Sequence, residues 1–178
     1  MKDLGNLKFF LGIDFARSKE GIVMSQRKYA LELISESGLW GANPAGTPLE
    51  LNQKLTSEEY DKAIAGVGSS EATDATLKDP CIYQRLYLTM TRPDLAFVVQ
   101  GLSQYMHNPK VSHMESTLRV VRYIKGALGL GLVMPTQNAY QLSVYCDSDW
   151  GSCLQTRSSV TGYVVKFGDA LISWKSKK

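Results

Sequence analysis

The sequence lacks several patterns that mark whole classes of protein. Its 178 residues hold three cysteines, without a close Cys-x-x-Cys pair, and no Asn-x-Ser/Thr sequon. A disulfide framework, a zinc site and secretion are therefore not indicated. We expect an intracellular, reducing compartment, the cytoplasm or the nucleus, with an organelle as the open alternative. The longest uncharged stretch, residues 126 to 146, contains Pro135 and several side-chain amides. It does not resemble a membrane span, so we expect no membrane partner.

Acidic residues are scarce outside one segment. Residues 31 to 80 carry nine acidic residues and three lysines, which leaves seventeen cations against eight acidic residues elsewhere. The net charge of +3 is too small to indicate a polyanion partner by itself. Two interpretations stay open: a polyanion-binding protein with one solvent-facing acidic insert, or an ordinary uneven surface.

An apolar content of 44% is enough for a real core. Residues 7 to 24 predict a β-hairpin, followed by a helix that Ser25 caps and Gly38 ends. Between residues 41 and 80, prolines and glycines interrupt any sustained period. We expect an ordered turn there, then a mobile acidic loop with a helical turn over 57 to 64.

The following region predicts two helices joined by a short link, and hence an antiparallel helical hairpin. The first starts at Thr91-x-x-Asp94 and the second at a capping box, Ser112-x-x-Glu115. Their predicted apolar stripes are Leu95, Val98, Val99, Leu102 and Met106 in the first helix and Met114, Leu118, Val121 and Ile124 in the second. From Leu130 onward, apolar residues recur at every second position. This pattern predicts strands over 130–134, 142–146, 161–167 and 170–174, with a tight turn at Gly168-Asp169.

Four separated motifs resemble, in family order, the polyprotein of Ty1/copia-type retrotransposons. They are Met1-Lys2-Asp3-Leu4-Gly5 with Leu7-Lys8-Phe9-Phe10-Leu11-Gly12-Ile13; Thr91-Arg92-Pro93-Asp94-Leu95-Ala96-Phe97; Leu118-Arg119-Val120-Val121-Arg122-Tyr123-Ile124-Lys125-Gly126; and Leu142-Ser143-Val144-Tyr145-Cys146-Asp147-Ser148-Asp149-Trp150. The first is similar to the stretch after the reverse-transcriptase active site. The next two resemble the connection region, and the last resembles the opening of ribonuclease H.

The resemblance implies an α+β fold in three parts. Residues 1–80 would form a primer-grip and thumb-like region with the acidic loop, and residues 81–134 a connection-like helical hairpin. Residues 135–178 would form an incomplete, mainly antiparallel ribonuclease H-like sheet. The family has a few further residues between Leu86 and Tyr87, which this chain lacks. A loss of that length inside a helix would rotate the following residues relative to the preceding ones.

By the same resemblance, Asp147 is the first metal ligand of ribonuclease H. It ends an alternating strand, which would hold its carboxylate rigidly toward solvent. Cleavage of the RNA strand needs several carboxylates around two Mg²⁺ ions, and the family's partner acids lie beyond Lys178. The Asp-Asp pair of the polymerase site is absent as well. We therefore expect Mg²⁺ only in the complete parent enzyme and no activity from this fragment. The alternative role for Asp147 is a strand-end turn.

Two further sets of residues are candidates for contact with an RNA/DNA hybrid or primer-template. By the family resemblance, Phe10, Leu11 and Gly12 match the primer grip, although composition alone favours a buried apolar strand with one glycine. Arg119, Arg122 and Lys125 lie at i, i+3 and i+6 and could follow a phosphate backbone, although an ordinary solvated face gives the same pattern. His107 and His113 flank a turn, where turn and cap roles are expected instead of metal binding.

The function this implies is that of a fragment of a copia-type reverse transcriptase/ribonuclease H, with the remainder of the polyprotein as a partner. Two alternatives stay open at this stage. The first is a residual module that binds RNA/DNA hybrid weakly, and the second is a vestigial product without activity.

Overall fold

The computed structural model describes residues 6–50, 53–65, 74–85, 90–137, 140–151 and 153–177. The architecture is mixed α+β, with two antiparallel sheets and a group of helices. The predicted three-part division cannot be read from these elements alone and stays a prediction. The predicted loss of a few residues between Leu86 and Tyr87 falls on positions outside the described residues. Within the described part of the chain, no helix is long and apolar enough to cross a membrane.

The first sheet has four strands in the order β1-β2-β3-β4. They are β1 (Phe9–Phe10), β2 (Ile13–Arg17), β3 (Gly21–Ser25) and β4 (Leu132–Pro135). The predicted hairpin over 7 to 24 is confirmed as β2 and β3. The turn between β1 and β2, and the return of β4 to pair with β3, were not predicted.

The second sheet has the order β5-β6-β7. Its strands are β5 (Leu142–Ser148), β6 (Thr161–Phe167) and β7 (Ala170–Lys177). The predicted tight turn connects β6 to β7, and Gly168 in this turn has φ +55°. Predicted strand positions are confirmed, and β5 and β7 extend further than expected. In β5, side chains on both faces are exposed, including Val144 and Tyr145.

Five α-helices are described: α1 (Arg27–Glu36), α2 (Glu58–Ala65), α3 (Cys81–Gln84), α4 (Ala96–Ser103) and α5 (Val111–Lys125). A 3₁₀ turn at Pro93–Leu95 precedes α4. Helix α5 packs on α1, and α4 packs on β7. Helices α1, α3, α4 and α5, together with the 3₁₀ turn, share one core, made of Ala30, Leu33, Ile34, Tyr83, Leu95, Val98, Leu102, Val120, Val121 and Ile124.

None of the three predicted starts, Ser25, Thr91 and Ser112, is the N-cap of its helix. Arg92, not Thr91, precedes the 3₁₀ turn, and α4 begins only at Ala96. Gln26, not Ser25, caps α1, and its buried side chain accepts a hydrogen bond from Thr91 Oγ1 at 3.1 Å. Lys110, not Ser112, caps α5. Ser112 instead lies inside the first turn, where its backbone N–H donates to Asp74 Oδ1 at 3.1 Å. A distant carboxylate has therefore taken the role that local sequence assigned to a neighbouring side chain.

The buried face of α5 is rotated from the predicted stripe. Val121 and Ile124 are buried as expected, but His113, Ser116 and Thr117 are buried too. The two hydroxyls donate to carbonyls one turn earlier, Ser116 to Ser112 at 2.9 Å and Thr117 to His113 at 3.0 Å. Because the helix itself satisfies them, these hydroxyls can be buried at little cost, which a pattern of apolar residues cannot reveal.

Gly131 allows β4 to approach β3. A Cβ at this position would lie 2.2 Å from the carbonyl oxygen of Met24, whereas a Cβ at Gly129 would meet nothing within 4 Å. We expect Gly131→Ala to lower the free energy of unfolding by about 1–3 kcal/mol, because the two strands must separate to admit the methyl group. Urea unfolding measures this loss. Gly129→Ala is the matched control and should cause no loss; equal stability of the two variants would contradict the close approach.

Candidate functional site

Asp147 lies one residue before the end of β5, opposite Gly162 of β6. Its side chain is exposed, and its Oδ1 accepts the backbone N–H of Ser148 at 2.9 Å. The residue lines a cleft of about 400 Å³ between the start of α4 and the second sheet, with walls that include Phe97 and Trp174. The strand therefore presents this carboxylate to an open, largely apolar cleft.

Of the two nearby aspartates, Asp149 lines the same cleft as Asp147, and Asp169 does not. Asp149 Oδ1 accepts the backbone N–H of Val160 at 2.7 Å and so closes the connection between β5 and β6. Asp169 lies in the β6–β7 turn, at the end of β6 away from Gly162. Among the described residues, no three His, Cys, Asp or Glu side chains are placed to hold a metal ion. The residues present thus fit one ligand of a two-metal site, and no catalytic step follows from them alone.

Leu11 and Gly12 form the two-residue turn between β1 and β2. Phe10 pairs with Ile13, and the turn residues have φ values of +48° and +79°, the combination of a type I′ turn. The side chains of Phe9, Phe10 and Leu11 are exposed, with Leu11 at 70%. The alternative interpretation, a buried apolar strand, is therefore wrong. A cation adjoins the turn, since Lys28 Nζ lies 4.8 Å from the centre of the Phe9 ring.

Two of the three cations of α5, Arg119 and Lys125, bind the segment formed by residues 39–50, here called the cover segment. Arg119 donates from Nη1 to Glu50 Oε1 at 2.8 Å and from Nη2 to Thr47 Oγ1 at 3.0 Å. Lys125 Nζ donates to the carbonyl oxygens of Leu39, Trp40 and Ala42. Arg122 accepts the N–H of Ala45 through its backbone carbonyl. This face of α5 is therefore not a simple solvated surface.

A charge cluster around a buried lysine at the start of α5 was not predicted from the sequence. The side chain of Lys110 is 4% exposed, and its Nζ lies 2.5 Å from Asp61 Oδ2 and 3.2 Å from Asp74 Oδ2. Burial raises the pKa of both carboxyls, but hydrogen bonds and charge outweigh burial and leave each pKa below its ordinary value. The hydrogen bonds come from Lys110 to both residues, from Thr56 to Asp61 and from Ser112 to Asp74. The excess of acidic residues over 31–80 was the available signal.

His113 belongs to the same cluster, and its ring is neutral. Its Nδ1 accepts the N–H of Lys110 at 3.1 Å, so Nε2 carries the proton and donates to the carbonyl of Thr56 at 3.0 Å. Tyr105 stacks on the ring at 4.2 Å between centroids. Burial, followed by the charge of Lys110, lowers the pKa of His113. The cap role expected for His113 is confirmed.

The cluster also revises the expected acidic loop. Its described residues do not form a mobile insert, because Asp61 on α2 and Asp74 are both held by Lys110. The helical turn expected over 57 to 64 is confirmed as α2. Residues 66–73, where the rest of the loop was expected, lie outside the described residues.

Comparison with known proteins gives matches over the whole chain. It is 34% identical to an uncharacterized mitochondrial protein of Arabidopsis thaliana, 36% identical to the retrovirus-related Pol polyprotein from transposon RE2 of the same plant, and 32% identical to a putative transposon Ty5-1 protein of Saccharomyces cerevisiae. The chain covers 70%, 12% and 56% of these proteins, respectively. No family model and no solved structure matches the chain.

Proposed function

The chain belongs to the Ty1/copia-type retrotransposon Pol polyproteins, and from that premise we propose that it is the part in which reverse transcriptase runs into ribonuclease H. In this proposal it holds the RNA/DNA hybrid or primer-template, while the rest of the polyprotein supplies most of the catalytic carboxylates. Residues 142–177 correspond to the first three strands of the ribonuclease H sheet. The matches to Pol polyproteins along the whole chain favour this assignment over an independent binding module or a vestigial product.

The observation that carries hybrid binding is the conformation of Leu11. A positive φ costs most side chains about 1–2 kcal/mol, and the residues that favour the first position of a type I′ turn are Asn, Asp and Gly. Leucine at φ +48° is therefore an unfavourable choice, and its exposed side chain contributes little to the core. A strained, exposed apolar residue supports a role in binding, here contact with the sugar and base surfaces of the primer-template.

The Mg²⁺ chemistry belongs to the complete parent enzyme. Asp147 would supply one carboxylate ligand to the metal pair that activates water for cleavage of the RNA strand. The chain's own contribution is the position of that carboxylate at the end of β5, held by the N–H of Ser148. We expect no ion bound to residues 1–178 alone.

The proposed partners are the nucleic acid and the remainder of the polyprotein, in a reducing, intracellular compartment. This expectation rests on the sequence, which has three cysteines without a close Cys-x-x-Cys pair and no Asn-x-Ser/Thr sequon. Binding by residues 1–178 should be weak and should fall steeply with salt, because a few phosphate contacts release a few counterions.

Leu11→Asn tests hybrid binding. Because asparagine accepts a positive φ, we expect the free energy of unfolding to rise by about 0.5–1 kcal/mol. Loss of the exposed leucine should lower hybrid affinity severalfold. Fluorescence anisotropy with a labelled hybrid at low salt, together with urea unfolding, measures both changes.

Leu130→Asn is the control, since Leu130 is also exposed but has no positive φ. It should leave affinity unchanged. A rise in the free energy of unfolding together with a fall in hybrid affinity in Leu11→Asn would distinguish a binding role of Leu11 from a structural one. An unaltered affinity in Leu11→Asn would remove the turn from the proposed interface.

A further inference from the structure

We infer that the cavity between the cover segment and α5 is a binding site for a ribose-phosphate unit of RNA, and that Glu50 occupies its phosphate position in the free protein. This inference rests on the proposed function and adds which strand of the hybrid is recognised. The cavity has a volume of about 430 Å³ and is lined by Glu50, Gln53, Glu115, Ser116, Arg119 and Arg122, among others.

The phosphate position is defined by Arg119. Its two terminal nitrogens already hold an acidic oxygen and a hydroxyl oxygen, those of Glu50 and Thr47. A guanidinium binds carboxylate and phosphate with the same fork of donors, so Glu50 is an internal stand-in for a phosphate. The Arg119 Nε–H is buried and, within the described residues, has no hydrogen-bond partner. A phosphate offers a further oxygen that this donor could use, whereas the single carboxylate of Glu50 does not reach it.

The ribose position is defined by Gln53. Its Nε2 donates to Ser116 Oγ at 3.0 Å, while its Oε1 is buried without a partner in the described part of the chain. Ser116 and Arg119 are three residues apart on α5 and so lie side by side on one face. The residues that line the cavity thus hold an unused acceptor and an unused donor, both closed off from solvent while Glu50 occupies the site. In an RNA backbone the 2′-hydroxyl donor adjoins phosphate acceptors, whereas DNA lacks that hydroxyl.

The charges explain why the site can open. Arg119 and Arg122 contribute two cations to the lining, and Glu50 and Glu115 contribute two acidic groups. The Glu50 side chain is 63% exposed, and an exposed ion pair contributes little to stability. Asp61 and Asp74, by contrast, hold a buried lysine at the far end of the same helix. Phosphate can therefore displace Glu50 while the rest of the acidic region stays docked.

The first experiment removes the competing carboxylate. Glu50→Gln is expected to raise affinity for an RNA/DNA hybrid about 3- to 5-fold at low salt, because phosphate no longer has to displace an ion pair. Glu59→Gln makes the same change in net charge at an exposed position of α2 outside the cavity, and it serves as the matched control. In the Arg119→Gln background, Glu50→Gln should have no further effect. Equal gains from Glu50→Gln and Glu59→Gln would overturn the phosphate position.

The second experiment tests recognition of the RNA strand. Gln53→Met removes the acceptor with little change in volume, and we expect it to weaken hybrid binding about 3- to 10-fold. Affinity for a DNA duplex of the same sequence should not change. Thermal unfolding checks that loss of the Ser116 hydrogen bond has not disturbed the fold. An equal loss for both duplexes would overturn the ribose position.

The outcomes separate this inference from the proposed function. Weaker binding in Leu11→Asn, with Glu50→Gln equal to its control and Gln53→Met equal to the wild type, would leave the function standing and overturn the ribose-phosphate site. Absence of hybrid binding by the wild-type chain at low salt would overturn both.

Discussion

Asp147→Asn in the complete Pol polyprotein should reduce cleavage of the RNA strand of a hybrid by at least about 100-fold. Asparagine keeps the size of the side chain and can still accept the N–H of Ser148, so β5 should keep its geometry. What is lost is the negative charge that a carboxylate brings to a two-metal site. Single-turnover cleavage of a labelled hybrid measures the effect, because it separates the chemical step from product release.

Asp169→Asn is the matched control for this substitution. It makes the same change at an exposed aspartate in the β6–β7 turn, far along the sheet from Asp147. Cleavage should remain at the wild-type level in this control. Wild-type cleavage by Asp147→Asn as well would leave Asp147 with only a strand-end structural role.

The 178 residues by themselves should catalyse neither DNA synthesis nor cleavage of the RNA strand, with Mg²⁺ or with Mn²⁺. Their sequence has no Asp-Asp pair, and among the described residues no three His, Cys, Asp or Glu side chains are placed to hold a metal ion. Turnover above a mock-purified sample, abolished by Asp147→Asn, would contradict this expectation.

Lys110→Met should lower the free energy of unfolding by about 2–3 kcal/mol, less than for a fully buried pair because Asp61 and Asp74 are partly exposed. Methionine fills the volume of the lysine stem but leaves two carboxylates beside an apolar group. The link between the acidic region and the start of α5 is then lost. Urea unfolding at pH 7 measures the change.

Lys62→Met is the control for Lys110→Met. Lys62 also pairs with a carboxylate of the acidic region, Glu58, but its side chain is 67% exposed. Exposed pairs contribute little, so this variant should be close to the wild type. Similar losses in the two variants would show that burial of Lys110 is not what makes its ion pairs important.

The same cluster should make stability depend on pH in the acid range. The pKa values of Asp61 and Asp74 are lowered in the folded protein, so the unfolded chain binds more protons near their ordinary value of 3.8. Their contribution is present above that pH and is lost as the pH falls through the lowered pKa values. Because Lys110 contributes to both shifts, Lys110→Met should weaken this dependence.

His113 acts in a separate, higher window. Its lowered pKa means that the neutral ring is favoured in the folded state. Its contribution is therefore present above the ordinary value of 6.5 and declines as the pH falls below it. Protonation would also remove the acceptor that Nδ1 offers to the N–H of Lys110. The two windows can thus be distinguished in one pH series.

The sequence by itself determined the elements with local signals. Gly38 has φ +66° and ends α1 as predicted, because a left-handed helix end favours glycine. The alternation of apolar and polar residues predicted the strand that carries Asp147. The Gly168-Asp169 pair predicted the tight turn, because these residue types favour two-residue hairpin turns. The family was also determined by sequence, since the matches to Pol polyproteins confirm the motif resemblance.

Tertiary structure alone decided the partners of the charged residues. Lys110, Arg119 and Lys125 bind groups about forty to ninety positions away in the chain, and no periodicity encodes such distances. It also decided the caps, because Asp74 reaches α5 from another segment. Charge pairing acts through space and needs only that the fold bring opposite charges together, whereas helix and strand patterns act between near neighbours. The helices, strands and turns could therefore be predicted from the sequence, whereas the arrangement of charged residues at the candidate site could not.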